Sequence, residues 1–146
     1  MTTLHGTVVE IGGAGVLLRG IPGSGKSSLA LRLIDAQGFG LGDQPMRARL
    51  VADDQFLLEK TSAGLLARAP ASLAGLLEIR GIGIVRVAHR SEALLKLVVD
   101  LGDGAALARM PEAEQIQTKL MGVILQRLQL DASDPAATAK IRASLF

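Results

Sequence analysis

The sequence predicts an α/β domain, and three observations carry that prediction. An apolar run with strand character, Val16-Leu17-Leu18, leads into the glycine-rich stretch Gly20-Ile21-Pro22-Gly23-Ser24-Gly25-Lys26-Ser27, and a helical pattern follows from Ser28 to Asp35. Strand, glycine-rich turn and helix in that order are the building unit of a wound α/β sheet. Hydrophobic residues make up 49% of the chain, chiefly Leu, Ala, Val and Ile, the side chains that fill buried α/β strands. Finally, short apolar runs recur between stretches rich in Gly, Pro and charge, which predicts a mixed sheet with flanking helices. The 146 residues suffice for one compact core. No repeat, linker or low-complexity tract divides the chain, so residues 1–146 read as a single domain.

Leu4 to Ile11 reads as the first strand, with Thr7-Val8-Val9 its β-rich centre. Gly12-Gly13 turns the chain into a second strand, Ala14 to Arg19, which makes a hairpin feeding the glycine-rich stretch. Leu29, Leu33 and Ile34 recur at helical spacing after Lys26. Phe39 to Ala48 reads as a loop. Leu50-Val51-Ala52 is a short strand ending at Asp53-Asp54, and Phe56 to Glu59 continues as strand. The run Leu76 to Val87 is apolar but interrupted by Gly81 and Gly83, which predicts a strand entering a close-approach loop. Leu94 to Leu101 is β-rich, Gly102 to Glu112 a loop, and Met121 to Leu130 apolar enough to be buried. Asp134 is a candidate N-cap with Pro135 at the first helical position, opening a helix over Ala136 to Leu145.

Composition narrows the function. With three Phe and no Tyr or Trp, the chain lacks the rings on which single-stranded nucleic acid stacks. A formal charge of +2 without a Lys/Arg block leaves no DNA or membrane footprint. Absence of cysteine excludes disulfides, thiolate metal sites and a cysteine nucleophile. Met1-Thr2-Thr3-Leu4-His5 lacks the features of a signal peptide, and no apolar run approaches bilayer length, so a cytoplasmic protein is expected.

Gly20 to Ser27 is a full G-x-x-x-x-G-K-[ST] phosphate-binding loop. A triphosphate is held by backbone N–H groups, so the chain must wrap closely around its oxygens, and Gly20, Gly23 and Gly25 allow that. Lys26 suits the β/γ-phosphates, Ser27 suits Mg²⁺, and the helix N-terminus adds partial positive charge. A nucleotide with Mg²⁺ is therefore expected, with ATP as the cofactor, while the loop reads phosphates and not the base and so leaves GTP or pyrophosphate open as donor. Such a loop needs a partner carboxylate at a nearby strand end, and Asp53-Asp54 has that form. Two adjacent acids on a strand point to opposite sides, so one can face the metal and the other an incoming nucleophile. Glu78 is a third candidate metal ligand and Arg80 a candidate phosphate contact. On their own, these two residues are more often an exposed ion pair on an amphipathic strand.

Taken together, Gly20–Ser27, Val51-Ala52-Asp53-Asp54 and Leu77-Glu78-Ile79-Arg80-Gly81-Ile82-Gly83-Ile84 resemble the catalytic domain of the bacterial HPr kinase/phosphorylase family. That family joins the same loop to a V-A-D-D strand end and an L-E-I-R-G-[LI]-G-I signature, with a catalytic His upstream, matched here by His5-Gly6. The resemblance implies a fold like that of phosphoenolpyruvate carboxykinase. It also implies a protein-serine kinase acting on the phosphocarrier HPr.

Under this resemblance Asp54 takes the proton from the substrate serine, and Asp53, Ser27 and Glu78 serve the metal. Lys26 contacts the phosphates, His5 assists, and Arg109 stabilises the transferring group. Arg109 precedes Met110-Pro111-Glu112, which stands for the family's R-L-G-x-G-E segment. The family commonly has Glu after the loop Ser, where this chain has Ser28, and Leu41 to Ala48 reads as an insertion. No V-G-R-N-type segment is recognised after Val123, so the resemblance does not extend to the reverse phosphorylase reaction. The apolar share of 49% predicts a homo-oligomer, and the resemblance puts a hexamer among the assemblies expected. Two alternatives stay open: a P-loop kinase acting on another protein or small-molecule hydroxyl, and a nucleotide-dependent switch without phosphotransfer.

Overall fold

The computed structural model describes residues 1–146. Eleven strands and two helices follow in order: β1 Thr2–His5, β2 Thr7–Ile11, β3 Ala14–Arg19, α1 Lys26–Asp35, β4 Ala48–Ala52, β5 Gln55–Thr61, β6 Gly64–Arg68, β7 Leu76–Ile79, β8 Gly83–Arg86, β9 Glu92–Leu101, β10 Gln117–Leu120, β11 Val123–Leu130 and α2 Ala137–Ala143. The expected α/β class with a mixed sheet holds. Both helices pack into one hydrophobic cluster, while the sheet's other face is covered by further strands.

The ten residues of β9 organise the fold. The first three, Glu92 to Leu94, pair antiparallel with β6, which continues through β5 to β1. The remainder pairs parallel with β3 on one side and β11 on the other. β3 continues through β2 to β4, and β10 closes the far edge against β11. Alternation along the strands then divides the core in two. Val9, Val16, Leu18, Leu97 and Val99 face α1 and α2, packing on Leu29, Leu33 and Ile141. Val8, Leu17 and Val98 face the β5–β6 layer, against Phe56, Leu58, Leu65 and Ala67. Consecutive buried residues such as Val8-Val9 and Leu97-Val98-Val99 are what a strand covered on both faces requires.

The expected first strand is in fact two. Gly6 (φ +151) breaks it, and a Cβ there would stand 2.7 Å from Leu17 Cδ1 and 3.2 Å from the Leu18 carbonyl. β1 thereby joins one layer through β5 while β2 joins the other through β3 and β4. β4 and β5 cross between the same layers through Asp53-Asp54, and the Gly6 N–H donates to the Asp54 carbonyl at 2.9 Å.

Other expectations shift in detail. β6 and β10 arise from segments without a strong pattern, and α1 begins at Lys26 instead of Ser28. β11 is only half-buried: Leu125 and Leu130 are buried, whereas Ile124 is 62% exposed, because one face of this strand meets solvent. The Gly81/Gly83 segment is a projecting β7–β8 hairpin, not a close-approach loop, since no atom lies within 4 Å of a Cβ placed on either glycine. α2 starts at Ala137. Asp134 Oδ1 accepts from the Ala136 N–H at 2.8 Å, making a turn just ahead of the helix. The Phe39–Ala48 segment is irregular until β4 begins at Ala48, as expected of a loop. Arg142, which is 1% exposed, ties this segment to α1 by donating to the Met46 carbonyl and to the carbonyls of Leu33 and Ala36. No helix is long and apolar enough to cross a membrane.

Candidate active site

β3 delivers the chain to Gly20, and α1 takes it up after Gly25. Gly25 occupies the helix N-cap with φ +97, in the left-handed region where a side chain is strained. Lys26 folds back across the loop, its Nζ donating to the carbonyls of Gly20 (2.9 Å) and Ile21 (3.2 Å). A Cβ on Gly20 would fall 2.4 Å from Ser24 Oγ, so only glycine lets the loop close this tightly. Ser24 Oγ is itself buried without a hydrogen-bond partner. A tight glycine cradle, an unspent hydroxyl and an ammonium laid over the loop fit a phosphate chain well.

Asp53 is the hub of the site. Its Oδ1 accepts from Ser27 Oγ at 2.7 Å and from Thr7 Oγ1 at 3.0 Å, and its Oδ2 accepts from the Glu78 backbone N–H at 3.1 Å. One carboxylate thus ties together the phosphate loop, β2 and β7. The Asp54 N–H in turn reaches Thr7 Oγ1 at 3.3 Å. Asp53 and Asp54 lie just past β4, not on the strand as expected. Asp54 has φ +70, and the Gln55 N–H closes a tight turn onto the Asp53 carbonyl at 2.8 Å. The two acids still diverge, but through this turn. Asp53 is enclosed by donors, while the Asp54 side chain is exposed and makes no hydrogen bond. A non-glycine residue held at positive φ is the kind of strain that gathers at functional sites.

His5 ends β1 directly opposite Gln55, one residue from Asp54, so the structure brings the upstream histidine to the acidic pair. Glu78 reaches the same place through its backbone, whereas its carboxylate is exposed. Asp53, Asp54 and Glu78 do not converge into a three-carboxylate cluster. Mg²⁺ would fit between Ser27 and Asp53 with water and phosphate oxygens completing its shell, the usual arrangement for this cation. Arg80 is exposed and forms no ion pair with Glu78. Arg109 is not brought to the acidic pair by any contact. It is exposed on the loop after β9 and makes neither hydrogen bond nor ion pair. His89, which matched no motif, is exposed at the surface, with Nδ1 on the Val87 carbonyl at 3.1 Å.

The family model described as "HPr Serine kinase C-terminal domain" matches residues 1–141. The chain belongs to this family. Among curated relatives, the HPr kinase/phosphorylase of Bordetella pertussis is 34% identical over 143 residues, covering 90% of this chain and 43% of the relative. That of an Exiguobacterium species is 42% identical over 109 residues, covering 69% and 32%. The chain therefore spans less than half the length of these relatives. The structure of an Hpr(Ser) kinase/phosphatase from Coxiella burnetii superposes with a TM-score of 0.78 at 22% identity, covering 99% of this chain and 88% of that one. That likeness confirms the fold.

Two features of the domain escaped the sequence. Thr7 is fully buried and donates to Asp53. The signal was a threonine inside an apolar strand run, just after the motif-matching His5-Gly6. The second is a charged cluster that joins β3, β9 and β11. Arg19 grips Asp100 through Nε (2.7 Å) and Nη2 (2.9 Å), and Arg127 Nε adds a bond at 2.5 Å. Burial alone would raise the Asp100 carboxyl, but the hydrogen bonds and charges of the two arginines outweigh it and hold it below the ordinary carboxylate range. Arg19 is raised, chiefly by its hydrogen bond to Asp100. Sequence separations of 81 and 27 residues hid this cluster, because only parallel pairing brings these positions together.

Proposed function

We propose that this domain is an ATP- and Mg²⁺-dependent protein-serine kinase that phosphorylates HPr on its regulatory serine. The observation that carries the reading is the division of labour in the Asp53-Asp54 turn. Asp53 is bonded to the Ser27 hydroxyl of the phosphate loop, while the adjacent Asp54 carboxylate stands free beside His5. The family's membership and the names of its relatives support HPr as acceptor.

In this reading Gly20 to Ser27 wrap the phosphates, and Lys26 moves from the Gly20 and Ile21 carbonyls onto the β/γ oxygens. Ser27 and Asp53 would hold Mg²⁺, which would supply charge neutralisation at the phosphates, and Glu78 would serve the ion through the backbone N–H that fixes Asp53. Asp54 accepts the proton of the serine hydroxyl as its oxygen bonds to Pγ and the Pγ–O bond to ADP breaks. His5 borders the attacking group. Arg109 is assigned to the equatorial oxygens, because its loop leaves the same sheet edge as the phosphate loop. The proposal is confined to the kinase direction. Exposed Ile82 (73%) and Ile84 (70%) on the β7–β8 hairpin favour a homo-oligomer, which light scattering would count.

The test is phosphate transfer from labelled ATP with Mg²⁺ to purified HPr, beside HPr whose regulatory serine is alanine. Label on the native HPr alone, lost in Asp54→Asn while ATP binding persists, is the expected result. Tight ATP binding without label on either protein removes HPr as the acceptor and favours another hydroxyl. Output that survives Asp54→Asn favours a binding switch.

A further inference from the structure

β3, β9 and β11 run parallel, so their C-terminal ends at Arg19, Leu101 and Leu130 open on one edge of the sheet. In wound α/β sheets, ligands gather in the crevice outside such ends. The phosphate loop fills the edge beyond β3, with Asp53 and its partners on the β4 side. On the β9–β11 side stand two turns that are stitched together. The Gly102 N–H donates to the Leu130 carbonyl and the Gly104 N–H to Asp131 Oδ2, each at 2.9 Å. Ser133 closes the second turn, its N–H and Oγ donating to Asp131 Oδ1 at 2.8 and 2.6 Å.

The second turn also presses on the phosphate loop. A Cβ added to Gly25 would stand 3.0 Å from the Ala132 Cβ, and Arg32 of α1 donates to the Ala132 carbonyl. Residues 131–133 are thus held from both flanks, against the last loop residue before α1. A triphosphate whose terminal group faces Asp53 and Asp54 must send its other end away from them, toward this side.

We propose that the nucleoside half of the bound nucleoside triphosphate rests against the paired turns 102–104 and 131–133, with Ala132 and Ser133 as its contact surface. The inference rests on the nucleotide reading above and adds where the base lies. The side chains of this wall are engaged within it, Asp131 with Gly104 and Ser133 and Asp103 with the Ala105 N–H, and the Ala132 carbonyl is taken by Arg32. Small side chains and spent polar atoms support a nucleoside by shape and do not read base edges. ATP and GTP therefore bind alike.

Calorimetric titration with Mg²⁺ and two ligands, ATP and tripolyphosphate, tests this. Ala132→Leu is expected to weaken ATP by about tenfold or more, with tripolyphosphate held within about twofold of wild type. Equal weakening of both ligands places the effect on the phosphate loop through Gly25 and overturns the inference, as does no change in either.

Ser133→Trp provides a second readout away from Gly25, because the chain has no Trp or Tyr and the new indole is its only strong fluorophore. Quenching by ATP and GTP but not by tripolyphosphate is expected. ATP binding without a nucleotide-specific change in emission refutes the placement. If the wild-type protein binds neither ligand, the phosphate-loop reading falls and takes this inference with it.

Discussion

Arg142 is the sharpest test of how the helical side of the domain is held. Its guanidinium donates to the carbonyls of Leu33 (2.8 Å) and Ala36 (2.9 Å) at the C-terminal end of α1, and to Met46 (3.0 Å) in the loop before β4. No carboxylate pairs with it, and burial lowers its pKa from the usual arginine value.

Arg142→Met keeps most of the aliphatic stem and removes the donors. The buried Leu33 carbonyl then lacks a partner, at about 2 kcal/mol, while the part-buried Ala36 and Met46 carbonyls cost about 0.5 kcal/mol each once water reaches them. Losing a cation at the helix C-terminus adds about 0.5 kcal/mol. Relief of the desolvated charge returns about 1 kcal/mol. The net loss is about 2.5 kcal/mol, a fall in Tm of about 5–10 °C for a domain of this size.

Urea and thermal melts by far-UV circular dichroism measure it, since the chain offers no Trp or Tyr for fluorescence. Arg142→Lys should fall between the two, because one ammonium cannot span carbonyls on both the helix and the loop. An Arg142→Met protein that melts at or above wild type would refute the reasoning, showing that those carbonyls need no donor from α2.

Three further outcomes are expected. Asp54→Gly relieves the positive φ and stabilises the fold by about 1 kcal/mol while abolishing phosphate transfer, which pairs a melt with the HPr assay. Asp53→Ala strands the Thr7 hydroxyl and the Ser27 and Glu78 donors, costing about 2 kcal/mol and raising the Mg²⁺ needed for nucleotide binding, read by melts and calorimetry. Asp100 is depressed in the fold, so its contribution is complete above its unfolded pKa of about 4 and drains away as pH falls through the lower folded value. Asp100→Asn should flatten the acid limb of a stability-against-pH curve, and an unchanged acid limb would contradict the cluster's role.

The parts of the fold legible in sequence were those whose signal is local. The glycine-rich loop announces itself because a tight backbone wrap demands glycine at set spacing, and Asp53 because an acid pair closing an apolar strand run stands out in the sequence. The break at Gly6 was not legible. A glycine inside a β-rich run reads as a weak spot, and only the second sheet explains why the chain must turn there. β6 was missed because Gly64 to Arg68 is too short to show a period. Arg142 carried no signal in the sequence, since nothing in its neighbours reveals the three carbonyls that gather around it.

The two crossings at Gly6-Thr7 and Asp53-Asp54 give the site an unusual dependence on architecture. The phosphate loop and Asp53 belong to the layer built on β3, whereas the orientation of Asp54 and His5 is set by β5 and β1. On the proposed reading, holding nucleotide and performing transfer are therefore anchored in different halves of the molecule. Loosening Phe56 or Leu58, far from any phosphate, should leave a domain that still captures its ligand but fires slowly. On the same reading, drift in that layer would erode transfer while leaving binding intact.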